Sequence, residues 1–531
     1  MTGARWPRRR SEATEEEQQQ QQHGADEPAD SGAGGAGGTP MATGSSDRPD
    51  RYAWVTMAIV LAGSYPFVLN TTVLGVALPQ IAEDLPAGRL LDVDWVITGY
   101  LIALTIIQPA TGWLADRWGK KQVYMAALTV FALGSLGSGL APSLPTLIGA
   151  RFLQGLGGGA MMPVGMAMIY ELFPPHRRGM AMGIWGIAVM GAPGFGPPLG
   201  GLVVTHISWR WIFLINVPLG IITLAVASIK LRDVGFRERR SLHVRGWVLS
   251  SVGLLLVLIA ARQAPTWGFT SVATIAALVI GVAALVVLVP DSLRRPSPLI
   301  EFRVFQVPTF SICMISFALL SVSQYARLTF LPVELQVVRG LTAAEVGLIL
   351  APSAAGVAAT MPIGGWLADR IGARVPVTAG MTIVTIGTWL LSRLTPETPI
   401  PHLVAILLVS GLGTGLALTP NTVAAMNSLP NRFLAQASAL RSLNRQVSAA
   451  LGTAVLSAFV VAQLGVVAPV ITDADSIAQA QNTYNRVFLI ATAFLILTVF
   501  TALFLPGRRR TLQFQQERAA EHRALFDDEE R

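Results

Sequence analysis

From Trp54 to Leu505 the chain is a succession of apolar runs of membrane-crossing length. A helix needs about 20 apolar residues to span the hydrocarbon core, and backbone polar groups in lipid must be satisfied within the protein. Charges and Pro/Gly turns divide the sequence into fourteen such runs, so an all-α integral membrane protein with 14 transmembrane helices is expected. The first eight are Ala53 to Pro79, Trp95 to Ala115, Val123 to Leu140, Thr146 to Tyr170, Gly179 to Thr205, Trp211 to Ile229, Gly246 to Ala261 and Ser271 to Val289. The last six are Thr309 to Val333, Val346 to Ala368, Val375 to Ser392, Leu403 to Met426, Ala435 to Val461 and Val487 to Leu505. The seventh is the shortest and least distinct.

Nothing between these runs is long enough to build a soluble core domain. The chain is 52% hydrophobic and 13% charged, against about a quarter charged in soluble proteins. This excludes a soluble enzyme, a nucleic-acid binder and a secreted scaffold. The single cysteine, Cys313, lies inside an apolar run and reads as packing. The six histidines are dispersed without metal-ligand spacing, and no Gly-x-x-x-x-Gly-Lys-Ser/Thr loop is present. No metal, cofactor or nucleotide is expected, and the chain is not read as an enzyme.

The net charge of +8 then reads as topology. Arg and Lys collect in cytoplasmic loops, so a correct span count puts them in alternate loops. Lys120 and Lys121, Arg177 and Arg178, Lys230 to Arg245, Arg294 to Arg303, Arg370 and Arg374, Arg432, and Arg508 to Arg510 all fall on one side. The other side has only scattered cations beside Asp84, Asp92, Asp94, Asp473 and Asp475. Both termini are expected in the cytoplasm of a multi-pass protein of the plasma or inner membrane. Residues 1–50, with their Gln run and Gly/Ala/Asp-rich stretch, have too little apolar surface to fold and read as a disordered segment without a signal peptide. A start at Met41 is an alternative reading.

An internal repeat supplies the architecture. Gly112-Trp-Leu-Ala-Asp-Arg-Trp-Gly-Lys-Lys121 recurs as Gly365-Trp-Leu-Ala-Asp-Arg-Ile-Gly-Ala-Arg374, after the second run and again after the tenth. A tight turn explains one copy, but not two at the same topological place. Two equivalent six-helix halves with a central inserted helix pair follow, the plan of parallel-repeat transporters. The expected domains are a disordered segment 1–50, an N-terminal half 51–232, a linker with inserted helices 7 and 8 at 233–303, a C-terminal half 304–507 and a charged tail 508–531.

These motifs resemble the major facilitator superfamily, specifically its fourteen-span drug:proton antiporter type, over roughly residues 51–508. Gly112 to Lys121 resembles the signature between helices 2 and 3, and Arg151-Phe-Leu-Gln-Gly-Leu-Gly157 the fourth-helix motif. Gly194-Phe-Gly-Pro-Pro-Leu-Gly-Gly201 resembles the fifth-helix antiporter motif, and Trp209 to Gly220 the opening of the sixth helix. The resemblance implies export, with Gly194, Gly196, Pro197, Gly200 and Gly201 bending the fifth helix as part of a gate. Plain close packing explains the same glycines. Asp116 and Arg117, and Asp369 and Arg370 in the second copy, are gating candidates; Asp116 is expected to pair with Arg117, Arg177 or Arg178 or to cap a facing helix. One position departs from the family. Leu69-Asn-Thr-Thr-Val-Leu-Gly-Val-Ala-Leu-Pro79 carries Asn70 where the subgroup usually has Asp, and Asn cannot carry a proton.

Ionisable residues inside the bilayer are costly and therefore functional candidates. Arg151 and Glu334 are the proton-coupling candidates, and Asn70, Gln154, Gln324 and Arg327 the candidates for the substrate pathway. Glu334 lies about two turns from Arg327, on the same face if Pro332 does not break the register, and is read either as desolvated or as paired with it. Glu171 reads as interfacial. Arg441 and Arg445, four apart on one face, line the pathway or reach lipid phosphates. The expected function is secondary active export of amphipathic small molecules by alternating access, driven by protons, in a monomer surrounded by membrane lipids and without nucleic-acid partners. Export of lipids or other anionic amphiphiles is the alternative, motivated by embedded arginines outnumbering embedded acids. A polytopic sensor or enzyme lacks any visible catalytic cluster.

Overall fold

The computed structural model describes residues 51–85, 95–187, 206–232, 241–295, 298–430, 433–465 and 474–514, with the single positions 93, 203 and 516. Among them, twelve helices are long and apolar enough to cross a membrane. The first group is α1 (Arg51–Asp84), α2 (Trp95–Trp118), α3 (Lys120–Gly139), α4 (Leu144–Leu172), α5 (178–187) and α6 (Trp211–Lys230). A pair follows, α7 (Val244–Trp267) and α8 (Val272–Leu293). The last group is α9 (Pro308–Arg339), α10 (Ala343–Ile371), α11 (Arg374–Leu391), α12 (Ile400–Asn427), α13 (Leu434–Leu464) and α14 (Ala474–Leu503).

The twelve are α2–α4 and α6–α14, each on an expected run. The first expected run falls in α1. The fifth begins in α5 and continues outside the described residues, as do Gly194, Gly196, Pro197, Gly200 and Gly201. α7 is longer than its run, continuing past Arg262, whose charge interrupts apolarity but not the backbone ladder.

Local chemistry sets the helix ends. Gly119 and Gly372 close α2 and α10 with φ of 89° and 85°, a region costly for any residue with a Cβ. They are the equivalent glycines of the two repeat copies, which explains that part of the motif without invoking transport. α4 and α10 both open on a capping box, Ser143 with Thr146 and Thr342 with Glu345.

In the first group α4 packs against α2 and α3, with α1 and α6 alongside. In the second, α12 lies between α10 and α11, while α9 packs on α13 and α14. Small residues permit the close approach that substitutes for a hydrophobic driving force in lipid: a Cβ on Gly134 of α3 would fall against the backbone of Gln154 in α4, and one on Gly157 against Phe131. α7 lies on α2 and α13, and α8 packs on α7. Pro109 interrupts α2 with a 3-10 turn, Gln108–Ala110, and the Ile106 carbonyl just before it accepts from Trp247 Nε1 (2.9 Å) and Ser251 Oγ (3.1 Å) of α7. The outer face of α8, with Val272, Val279 and Val286, is exposed and apolar, as a lipid-facing surface must be.

Candidate functional site

The first group holds a buried polar cluster centred on Arg151, which is 1% exposed. Its Nη1 donates to Asn70 Oδ1 at 2.6 Å and Gln154 Oε1 at 2.5 Å, and its Nε to the Val96 carbonyl at 3.2 Å. Gln154 Nε2 passes the network on to Ser135 Oγ at 2.6 Å. The guanidinium also sits 4.1 Å from the Tyr100 ring centre, a cation–π distance. Four helices, α1, α2, α3 and α4, therefore meet at one cation held entirely by neutral groups. Arg151, Asn70 and Gln154 are brought together as one unit, and Arg151 faces inward.

Arg327 of α9 is 8% exposed, and its Nε is shut off without a hydrogen-bond partner. No hydrogen bond, ion pair or ring contact holds it among the described residues. Of the two readings of Glu334, desolvation or pairing with Arg327, the second gives way to a different arrangement. Glu334 is fully buried, with Arg339 Nε 4.0 Å away, and it turns toward Tyr484 and Gln481 of α14. Arg339 is itself anchored to the Thr395 and Thr398 carbonyls at 2.9 and 2.7 Å. Seven residues set Glu334 and Arg327 about 10 Å apart along the axis, so Glu334 takes the nearer cation. Gln324 is half-buried one turn before Arg327. Arg441 of α13 lies 4.3 Å from the Phe317 ring of α9 and near Tyr170 of α4, so it is held inside rather than reaching outward.

The end of the bundle that carries the two repeats is closed. Asp369 accepts the backbone N–H groups of Gly179 (3.1 Å) and Met180 (3.2 Å), a carboxylate on the first turn of α5 and thus a charge-assisted helix cap from the other group. Gly179 and Gly365 meet so closely that neither has room for a Cβ. Arg178 donates to the Phe173 carbonyl and to Asn427 Oδ1 of α12, both at 3.2 Å. Asp116, 8% exposed, lies beside Gln436 in the first turn of α13, the place equivalent to that of Asp369. Trp113, Ser241, His243 and Leu299 share a small cavity with these two residues, bringing the segments flanking α7 and α8 to the same spot. Arg117 and Arg370 are exposed and stack on their own helices, over Trp113 (5.9 Å) and Trp366 (4.3 Å).

Some of the closure escapes a reading by charge and motif. Ser438 Oγ donates to the Pro163 carbonyl of α4 at 2.9 Å, Gln108 Nε2 to Ser442 Oγ at 3.0 Å, and Thr105 approaches Gln446 at 3.5 Å. Ser438, Ser442 and Gln446 recur every four residues, a polar stripe on one helix face that was available as a signal. Glu171 is buried and paired with Lys120 at 2.8 Å, rather than interfacial. At the opposite end Trp209, fully buried, donates its Nε1 to Asp84 at 2.9 Å.

The Major Facilitator Superfamily profile matches residues 60–453 and 313–527. The tetracenomycin C resistance and export protein of Streptomyces glaucescens is 31% identical over 445 residues, 84% of this chain and 81% of the relative. The multidrug resistance protein B homolog of Mycobacterium tuberculosis is 29% identical over 496 residues, 87% of this chain and 92% of the relative. The crystal structure of the human organic anion transporter MFSD10 (TETRAN) superposes with a TM-score of 0.60, covering 85% of this chain and 99% of the other at 14% identity, a likeness of fold. Spans, repeat and relatives agree: the chain belongs to the Major Facilitator Superfamily and is a membrane transporter.

Proposed function

We propose that the protein is a secondary active exporter of amphipathic small molecules, built from two six-helix halves with α7 and α8 as an inserted pair and driven by the proton gradient. The positive-inside pattern makes the motif end cytoplasmic, with both termini on that side of the cell membrane. The observation that carries the reading is the closure at that end: Asp369 on the N-terminus of α5, with Gln108–Ser442, Ser438–Pro163 and Arg178–Asn427 around it. These are individual hydrogen bonds between otherwise self-packed halves, each worth about 1 kcal/mol net. Such a seam opens as a unit when a cargo binds the open state better, which is what alternating access requires. The names of the tetracenomycin export and multidrug resistance relatives support outward movement of small molecules.

Asn70 removes the subgroup's first-helix acid, so proton coupling rests on Glu334, buried in the second half beside Arg339. Arg151 organises the first half and serves as its positive pole. The test is purified protein in liposomes, with a panel of cationic, neutral and anionic amphiphiles and an imposed pH gradient. The expected result is uphill movement that stops when the gradient is dissipated and is lost in Glu334→Gln with binding retained. Full driven flux in that variant places coupling elsewhere, and movement independent of the gradient removes it.

A further inference from the structure

We propose that Arg327 is an anion-binding residue of the central pathway and takes the carboxylate of an amphipathic cargo; this deepens the export reading above and rests on it. Arg327 stands at position 20 of the 32-residue helix α9, inside its membrane-crossing run. A guanidinium stays charged at any accessible pH, and a charge at that depth is retained only when something compensates it. Arg151 is compensated within the protein by two side-chain acceptors, a carbonyl and an aromatic face. Arg327 has none of these among the described residues. The acid nearest along its helix, Glu334, is turned toward Arg339 and α14.

Helical spacing sets Arg327 between the α14 face of α9, where Ser323 one turn earlier donates to the Ala491 carbonyl at 2.8 Å, and the face that carries Gln324. Phe317, Gln324 and Leu328 stand at i, i+7 and i+11, one stripe of α9. Phe317 is where Arg441 of α13 stacks while lying near Tyr170 of the first half, so this stripe looks toward the junction. Leu328 in the same stripe is 55% exposed, and Gln324 is half-buried. Arg327 follows Gln324 by three residues, which makes the two neighbours on the helix surface. A carboxylate beside them would accept from the Arg327 fork and the Gln324 amide, while its apolar body lies along Leu328 and Phe317. The planar fork and the lone charge fit one carboxylate better than a dianion.

The test uses three probes with one fluorophore: dansylglycine (anionic), dansylamide (neutral) and dansylcadaverine (cationic), titrated by fluorescence against the full-length protein in phosphatidylcholine nanodiscs at neutral pH. The wild type is expected to bind dansylglycine about tenfold or more tighter than dansylcadaverine. R327Q should lose about tenfold in dansylglycine affinity with dansylamide unchanged, and R327K should retain most of the preference. An R327Q protein that binds dansylglycine as the wild type does overturns the proposal, as does a wild type that prefers dansylcadaverine. Should R327Q not fold, competition in the wild type decides: benzoate displaces dansylglycine and leaves dansylamide bound, and failure to displace it overturns the proposal. Including phosphatidylglycerol separates the sources of an oxyanion. Abolition of dansylglycine binding by that lipid assigns Arg327 to a lipid phosphate and overturns the cargo reading. Binding of all three probes with equal affinity leaves export standing and removes the anion site, whereas no binding of any probe in nanodiscs together with no movement of any in the liposomes removes both.

Discussion

Arg151 and Arg327 are both arginines buried in apolar helices, one in the first helix group and one in the last, and their surroundings are opposite. Arg151 is enclosed by Asn70, Gln154, the Val96 carbonyl and the Tyr100 ring. Arg327 is nearly as buried and holds no acceptor among the described residues. A polar group satisfied inside a fold is part of its framework, whereas a buried unsatisfied one costs stability unless its partner arrives from outside. The first half thus contains a finished network and the second an open valence. Two helix groups that carry copies of one motif need not keep equivalent roles.

The largest expected effect comes from breaking the finished network. Arg151→Gln strands the Asn70 and Gln154 side-chain oxygens and removes the cation beside the Tyr100 ring, with an expected loss of about 3 kcal/mol of stability. Arg327→Gln, which removes an uncompensated charge, should leave the melting temperature of the detergent-solubilised protein unchanged or raised. Equal losses in the two variants would erase the comparison. Asn70→Asp sharpens it from the other side. A carboxylate 2.6 Å from Arg151 neutralises the first half, and binding of a cationic amphiphile should strengthen about tenfold while dansylamide binding stays constant. No change in charge preference would mean that the Arg151 cluster is insulated from the pathway.

The two copies of the repeat offer a parallel comparison. Asp369→Asn keeps one acceptor for two N–H donors and loses the charge on the α5 terminus, a weakening of the closed end by about 1–2 kcal/mol. Asp369→Asn and Asp116→Asn should each cut flux about tenfold with little change in folded yield; wild-type flux in either would remove that residue from the gate. The smallest effect concerns the junction of α7 and α8. His243 lies 2.9 Å from Asp291 at the end of α8, with Arg245 and Arg295 also on Asp291. Burial first, and Arg295 next, hold His243 below its ordinary pKa. The unfolded state therefore binds more protons than the folded one near and below about pH 6.5, and stability contributed by neutral His243 declines as pH falls through that range. Amide exchange in residues 241–247 should be faster at about pH 5.5 than at about pH 7.5 after correction for intrinsic rates, and His243→Gln should flatten the difference.

The runs of apolar residues made the spans legible because a bilayer imposes length and backbone satisfaction on every crossing. The repeat made the equivalence of α2 and α10 legible because Gly119 and Gly372 both need positive φ. Arg151, Gln154 and Asn70 were separately visible as costly polar residues, yet their union depends on four helices meeting, which no local spacing encodes. Pairing of Glu334 with Arg327, one of its two readings, fails for a related reason. Spacing along α9 places both near one face, but packing against α14 and the anchored Arg339 decides which cation Glu334 meets. The contact of α7 with α2 depends on the Ile106 carbonyl just before the Pro109 turn, a backbone property with no side-chain signature.

The central claim is that the closed motif end is one of two states of a transporter. Trp118 and Val375 are exposed at that end on opposite halves, 52% and 58%, while native Cys313 is buried and out of reach of label. Spin labels at Trp118→Cys and Val375→Cys, measured by pulsed electron resonance in nanodiscs, report the separation of the halves directly. The account predicts two distance populations, the shorter matching the closed end, with the balance moved toward the longer by Asp369→Asn. A single short distance, unmoved by that substitution, would contradict it.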